Sequence, residues 1–216
     1  MKRFTVACFV VGILAMSDAS RAAILFGSGT LGPTGVSFDD LGGVVPGTNI
    51  QNVIFAGVRF ELTQPVITTE IGGHFVAPVV GTFFGAIIAL NDANDFPDSE
   101  DLSSTDVLGN TLLTFPVLSD EVYGDLNLSL DPGWYALVFG SGLFGATTNG
   151  GAVRNGLDIG DPSYIAFGPN LKWFNLDIFQ NPFDNHRFVI NGNFVPDPST
   201  LSLLLLIVLL PRRYAR

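Results

Sequence analysis

The chain has 216 residues, of which 47% are hydrophobic, 12% are aromatic and only 14% are charged. The hydrophobic content excludes a disordered chain, and the shortage of Lys, Glu, Arg and Ala argues against a helical bundle. Ten basic residues against 20 acidic ones give a net charge of -10, so a basic patch cannot form and no nucleic-acid partner is expected.

The first 22 residues have the three parts of a secretory signal peptide. A basic start is followed by an apolar run over 4–16 and by small and polar residues over 17–23. Ser20 and Ala22 suit positions -3 and -1, which predicts that signal peptidase cuts after Ala22. A permanent membrane anchor is the alternative, but the run is shorter than the ~20 residues that span a bilayer. The only cysteine, Cys8, would leave with this segment, so no disulfide or Cys metal ligand is expected afterwards.

Residues 23–194 are predicted to form one domain, an all-β antiparallel sandwich of jelly-roll-like type. Short runs rich in β-branched and aromatic residues alternate with turn residues, and no 12-residue window shows a convincing helical period. The predicted strands are 24–26, 53–62, 66–71, 83–90, 111–117, 126–130, 134–139, 164–167, 173–178 and 187–190.

Two of these strands carry finer predictions. The alternation over 58–62 places Arg59 on a solvent face opposite the apolar residues, as in a half-buried strand. Residues 134–139 are apolar on both faces, which predicts a central strand. The glycine pairs 72–73 and 150–151 are predicted to lie in loops.

No catalytic site is predicted. Residues 27–32 and 140–145 both match G-x-G-x-x-G, but no helix follows either one, so glycine-rich turns are expected instead of a dinucleotide site. Ser141 does not have nucleophile-elbow spacing. His74 and His186 are far apart in sequence and no spacing links them. A carboxylate pair, as in a glycosidase, stays open because nothing selects one pair among the acids.

The acidic stretch 91–101 is the one candidate for a cofactor site. Its oxygen donors suit calcium, which takes about 6–8 oxygens. The candidate ligands are Asp92, Asn94, Asp95 and Asp98. The spacing does not match an EF-hand because Phe96 falls where a ligand is needed. The alternative is a solvated loop that closes a hairpin, since Asn and Asp suit turns.

The last 22 residues, 195–216, are predicted to form a weak and temporary membrane anchor. The apolar run over 201–210 would make a helix of ~15 Å, about half the hydrocarbon thickness. The basic residues after it act as a stop that stays on the cytoplasmic side. These are Arg212, Arg213 and Arg216. A core helix is the alternative, but the run has no polar face.

This tail resembles the PEP-CTERM sorting signal of Gram-negative bacteria, which joins a Val-Pro-Glu-Pro-Ser motif, a leucine-rich helix and an Arg cluster. The motif here is Val195, Pro196, Asp197, Pro198 and Ser199. It departs from the family in having Asp197 for Glu, and Pro211 interrupts the join to the arginines. The resemblance implies processing by an exosortase, followed by release or reattachment at the cell surface. The domain is also similar, over 131–142, to exported β-sandwich proteins that precede this signal, and that similarity brings no assigned activity.

These observations favour an exported structural or interaction protein of the cell surface or extracellular matrix, held at the membrane before processing. Residues 23–194 contain four basic and 18 acidic residues, a balance of -14 that repels polyanions and tolerates cations. A carbohydrate-binding module for exopolysaccharide is the second hypothesis, with Trp134, Tyr135, Trp173 and Phe174 as platform candidates. A secreted hydrolase is the third.

Overall fold

The structure, a computed structural model, describes residues 22–38, 47–168, 170–176 and 185–196. In these ranges the chain forms β-strands and turns, without an α-helix. The strands are β1 (Ala23–Gly27), β2 (Gly47–Ile50), β3 (Phe55–Leu62), β4 (Val66–Val76), β5 (Gly81–Leu90), β6 (Val107–Phe115), β7 (Asp120–Asp125), β8 (Ser129–Leu130), β9 (Gly133–Gly140), β10 (Gly150–Val153), β11 (Ser163–Phe167), β12 (Trp173–Asn175) and β13 (Phe188–Phe194).

The strands form two antiparallel sheets. The first sheet has seven strands in the order β1-β13-β4-β10-β2, and β7 and β8 also pair with β4. The second sheet has six strands in the order β12-β11-β3-β9-β5-β6. The predicted all-β antiparallel architecture is therefore confirmed for the described residues.

Phenylalanine rings fill the space between the two sheets. Phe75 of the first sheet lies 4.9 Å, between ring centroids, from Phe139 of the second. Phe83 and Phe115, neighbours on β5 and β6, are stacked at 3.9 Å. All four side chains are fully buried, and fully burying one such ring contributes roughly 1.5–3 kcal/mol. This shared core is what makes the two sheets a sandwich.

Strand β9 is central, as predicted, because both of its faces are covered. It lies between β3 and β5. Leu137 belongs to the core between the sheets. Val138 belongs to a second apolar cluster on the outer face of the second sheet. The loops 91–106 and 141–147 supply side chains to that cluster, so they act as a third layer over the sheet.

The prediction that the two glycine pairs lie in loops is wrong. Gly72 and Gly73 are in the middle of β4, and Gly150 and Gly151 begin β10. A Cβ on Gly72 would overlap the carbonyl oxygen of Val122, and one on Gly73 would overlap that of Arg187. All four glycines are therefore strand residues, and Gly72 and Gly73 let neighbouring backbones approach closely.

Some predicted strand boundaries also differ from those in the structure. Of the predicted strand 126–130, only Ser129–Leu130 forms regular strand β8, although Leu126 and Leu128 also bond to the backbone of β4 and the alternation of buried and exposed side chains holds along all five residues. Strands β2, β7 and β10 were not predicted at all. The last two residues of the predicted strand 173–178 lie outside the described residues.

Strand pairing defines two ends of the sandwich. We call the end where β1 begins and β13 ends the near end, and the opposite end the far end. At the near end, Ala23 of β1 pairs with Gly192 of β13, and Phe194 pairs with Val66 at the start of β4. Strand β4 then runs roughly 35 Å away to Val76, at about 3.3 Å per residue. The four-residue turn after β4 starts β5 at this far end. Pairing through β5 and β9 places the start of β3 there as well.

Candidate functional site

An open groove of about 210 Å³ lies at the far end, on the outer side of the second sheet. Phe55, which begins β3, and Phe167, which ends β11, are register partners with stacked rings 5.3 Å apart. Both rings are buried and form the floor. The sides of the groove are aliphatic: Val53 and Leu171 are each 50% exposed, and Leu143 is half-buried.

The groove also has an acidic rim. Glu100 and Asp101 line it, and both are exposed. Ser103 donates hydrogen bonds to Asp101 from its hydroxyl (2.6 Å) and from its backbone N–H (3.2 Å), and these bonds hold the pKa of Asp101 below its usual value. Asn52 completes the rim. A Cβ on Gly142, which has φ +82°, would overlap the Asn52 amide oxygen, so this glycine is required there.

The groove is built from turns that the sequence did not identify as a site. Val53 follows β2 in a tight turn closed by mutual backbone bonds between Gln51 and Ile54. Leu171 has a positive φ of 53° in the turn between β11 and β12. The only sequence signal was the presence of apolar residues inside Asn-rich and Gly-rich turns, where solvent-facing polar residues are the norm.

The acidic loop with the calcium candidates is organised around a buried arginine. Arg59 is only 3% exposed, so the prediction that it faces solvent is wrong. Its guanidinium donates to the backbone carbonyls of Asp95 (2.6 Å) and Asn94 (3.3 Å). It also donates to Ser163 Oγ (3.0 Å) and Asn175 Oδ1 (2.8 Å). The outer face of β3 is buried at Arg59 because this loop folds over it, whereas Glu61, further along the same face, is exposed.

The candidate calcium ligands bond mainly to their own loop. Asp92 accepts the Asn94 backbone N–H at 2.7 Å. Asp95 accepts the backbone and side-chain N–H groups of Asn91 at 2.8 and 2.7 Å. These bonds, the Asn91 backbone bond first, lower the pKa of Asp95. Asp98 is exposed. Where the chain is described, no group of three or more His, Cys, Asp and Glu side chains is placed to hold a metal ion, so calcium binding stays a prediction.

The two histidines lie on opposite faces of the first sheet. His74 is fully buried on the outer face, and its Nδ1 bonds to Asn155 Oδ1 at 2.7 Å. His186 is fully buried on the inner side, where its Nε2 bonds to Thr48 Oγ1 at 2.9 Å and its ring packs edge-on against Tyr164. The structure therefore does not bring the two histidines into one site.

The partners of Asn155 fix the tautomer of His74. Asn155 accepts the Gly32 N–H at 2.6 Å and donates to the Val153 carbonyl at 2.9 Å, so its oxygen faces the His74 ring. Neutral His74 must then carry its proton on Nδ1. Its Nε2 has no hydrogen-bond partner in the described part of the chain. Burial lowers the pKa of His74, against the opposing effects of Asn155 and of Glu121 and Asp120.

A polar cluster joins the two sheets near His186. The Tyr164 hydroxyl donates to Asp158 Oδ1 (2.6 Å) and lies 2.8 Å from the His186 carbonyl oxygen. Burial raises the pKa of Tyr164. Ser28 Oγ donates to the same His186 carbonyl at 2.6 Å. Tyr164 belongs to the second sheet, whereas Ser28 and His186 lie beside the first, so the shared bonds to the His186 carbonyl hold the two sheets together.

The four aromatic residues considered as a carbohydrate-binding platform are half-buried or buried. Trp173 is half-buried, packs 5.4 Å from the Phe167 ring and donates from Nε1 to the Ser99 carbonyl at 3.3 Å. Trp134 and Phe174 are half-buried, and Tyr135 is buried. None of the four lines the groove.

The segments predicted to be processed lie mostly outside the described residues. Of the sorting motif, Val195 and Pro196 are described and exposed, whereas Asp197, Pro198, Ser199 and the three tail arginines are not described. Residues 1–21 of the predicted signal peptide are likewise outside the described residues. In the described ranges no helix is both long and apolar enough to cross a bilayer.

Comparisons with models of known protein families, with curated proteins and with solved structures found no match.

Proposed function

We propose that this protein is an exported structural or interaction protein of the cell surface or extracellular matrix, cut by signal peptidase and sorted by an exosortase. The observation that supports the proposal is that the two predicted processing points border neighbouring strands. Ala22 precedes β1, the sorting motif follows β13, and these two strands are neighbours at the near end. Both segments therefore leave the sandwich from one place.

This arrangement suits a tethered domain. Ala22 and Ala23 are exposed, and so are Val195 and Pro196. The Val195 N–H donates to the Pro65 carbonyl at 2.9 Å, after which the motif continues. Cleavage at either point would leave all 13 strands of the sandwich intact. The proposal also includes the jelly-roll-like connectivity and the short membrane-held helix expected from the sequence.

Mass spectrometry of the surface-localised protein from its host tests this proposal. We expect an N-terminal peptide that starts at Ala23 and no peptide from 201–216. Replacing Pro196 and Pro198 by alanine should block the cut, so that peptides from 201–216 are detected. Replacing Pro65, outside the motif, by alanine should leave the cut unaffected, so that these peptides are absent as in the wild type. An intact C-terminus on the surface-localised wild-type protein would contradict exosortase processing.

Exopolysaccharide binding is the second candidate function. It rests on the far-end groove, which combines an aromatic floor with carboxylates, as many sugar sites do. It ranks second because the floor rings are buried and the tryptophans lie outside the groove. A glycan array probed with the processed protein tests it, and signals that survive substitution of Glu100 and Asp101 would argue against this groove.

A further inference from the structure

The far-end groove has the chemistry of a site for a chain with an apolar stem and a positive end. Its floor and sides are Phe55, Phe167, Val53, Leu143 and Leu171, and its rim carries two carboxylates. No basic side chain is among the described residues that line it. The domain around it is also strongly acidic, which attracts cations over distance.

The shape of the groove favours a flexible side chain over a sugar ring. At about 210 Å³ it is smaller than the ~300–1,000 Å³ typical of sites for drug-sized ligands. The aromatic floor is nearly inaccessible, with Phe55 and Phe167 at 2% and 3% exposure, so a sugar has little ring face to stack on. The accessible apolar surface belongs instead to Val53 and Leu171.

The rim is ready to accept a cation. Asp101 is oriented by its two bonds from Ser103. Glu100 lines the same rim and is exposed. A lysine side chain can lay its methylene stem along apolar surface and keep its ammonium at a polar rim.

We propose that this groove binds a lysine side chain of a partner polypeptide, with the stem between Val53 and Leu171 and the ammonium at Glu100 and Asp101. This inference rests on the proposed interaction role and gives that role a partner chemistry. The groove lies at the end opposite the processing points, so a tethered domain presents it away from the membrane.

Nitrogen-15 NMR of the full chain in neutral-detergent micelles tests the proposal. The probe is Nα-acetyl-lysine N-methylamide, and Nα-acetyl-norleucine N-methylamide is the matched probe with the same stem and no charge. We expect the lysine probe to cause saturable shifts at the amides of Asn52, Val53 and Leu171. The norleucine probe should bind at least threefold more weakly, because it lacks the ammonium that pairs with the two exposed carboxylates.

Two double variants locate the charge. Glu100→Gln with Asp101→Asn should reduce lysine-probe affinity at least threefold. Glu61→Gln with Asp131→Asn removes the same charge from exposed carboxylates outside the groove and should leave affinity unchanged. Equal losses in both variants would show general attraction only and overturn the site, and so would absent shifts or equal binding of norleucine.

Glucosamine is the third probe. Tighter binding of glucosamine than of the lysine probe, lost in the groove variant, would assign the groove to an amino sugar and overturn the polypeptide partner. None of these outcomes affects the processing experiment, so failure of this inference is distinguishable from failure of the proposed function.

Discussion

The guanidinium of Arg59 lies 4.3 Å from the ring centroid of Phe96. Phe96 is the residue that does not fit the ligand spacing of an EF-hand calcium loop. In the structure its ring packs against the positively charged Arg59 side chain. Together with the two loop carbonyls that it binds, Arg59 holds the acidic loop against the outer face of β3. The loop is therefore part of the fold of the second sheet.

Arg59→Lys should lower the free energy of unfolding by about 3 kcal/mol. Lysine keeps the charge but cannot reach all four acceptors, and each lost bond to a buried charged group costs ~1.5–3 kcal/mol. Urea unfolding measures the change, and limited proteolysis should cut first within 91–106. Lys172→Arg, at an exposed position, is the control and should change stability by less than ~0.5 kcal/mol. A stable, protease-resistant Arg59→Lys protein would contradict this role.

The free energy of unfolding should decrease as the pH is lowered below 6.5, in part because of His74. Burial holds the pKa of His74 in the folded state below the ordinary histidine value of 6.5, so the unfolded state binds the proton first. Stability from this group is complete above 6.5 and is lost as pH falls through the folded pKa. In His74→Asn, which keeps a donor toward Asn155, thermal melts between pH 6.5 and 5 should show a shallower pH dependence. An unchanged slope would assign the effect to other groups.

Gly72→Ala and Gly73→Ala should each destabilise the domain by roughly 1–3 kcal/mol, the usual cost of overpacking. The added methyl groups would overlap the backbone carbonyls of Val122 and Arg187. Gly133→Ala is the matched control, because a Cβ there meets only Tyr135 at 3.8 Å. Urea midpoints measure the difference. Equal midpoints for all three variants would contradict close packing at β4.

Leu137→Asp and Val138→Asp should both prevent folding. The two side chains point to opposite faces of β9, and both are fully buried. An unpaired carboxylate on either face costs several kcal/mol, comparable with the whole stability of a domain. Folded, protease-resistant protein from the Val138 variant alone would show that the loops do not seal the outer face of the second sheet.

Sequence patterns located the strands with strong hydrophobic signals and missed those without them. Strand β9 is apolar on both faces and was placed correctly. Strand β7, Asp-Glu-Val-Tyr-Gly-Asp, carries three acids because it lies at an exposed position beside β4. Strand β10 begins with two glycines that normally indicate a loop. At Gly150 a Cβ would crowd the Val76 carbonyl oxygen and the Phe115 ring, which a sequence does not show.

The groove could not be predicted for a related reason. Its floor comes from the ends of β3 and β11 and the rest of its lining from four separate turns or loops, and nothing in their spacing joins them. The burial of Arg59 was missed because alternation describes one strand and its two faces, whereas here a loop of the same chain covers the second face. The acidic composition of that loop was visible from the sequence, but its attachment to β3 was not.

The pairing of β1 with β13 has a consequence for the order in which the protein can fold. The first strand has its partner in the last one, and Ser28 bonds to the His186 carbonyl 158 residues later. Contacts of such long sequence separation form late and slowly. A chain threaded through a membrane channel must stay unfolded until it has passed. This topology delays the closing strand pair until nearly the whole domain has been made, and such a delay suits the export that we propose for this protein.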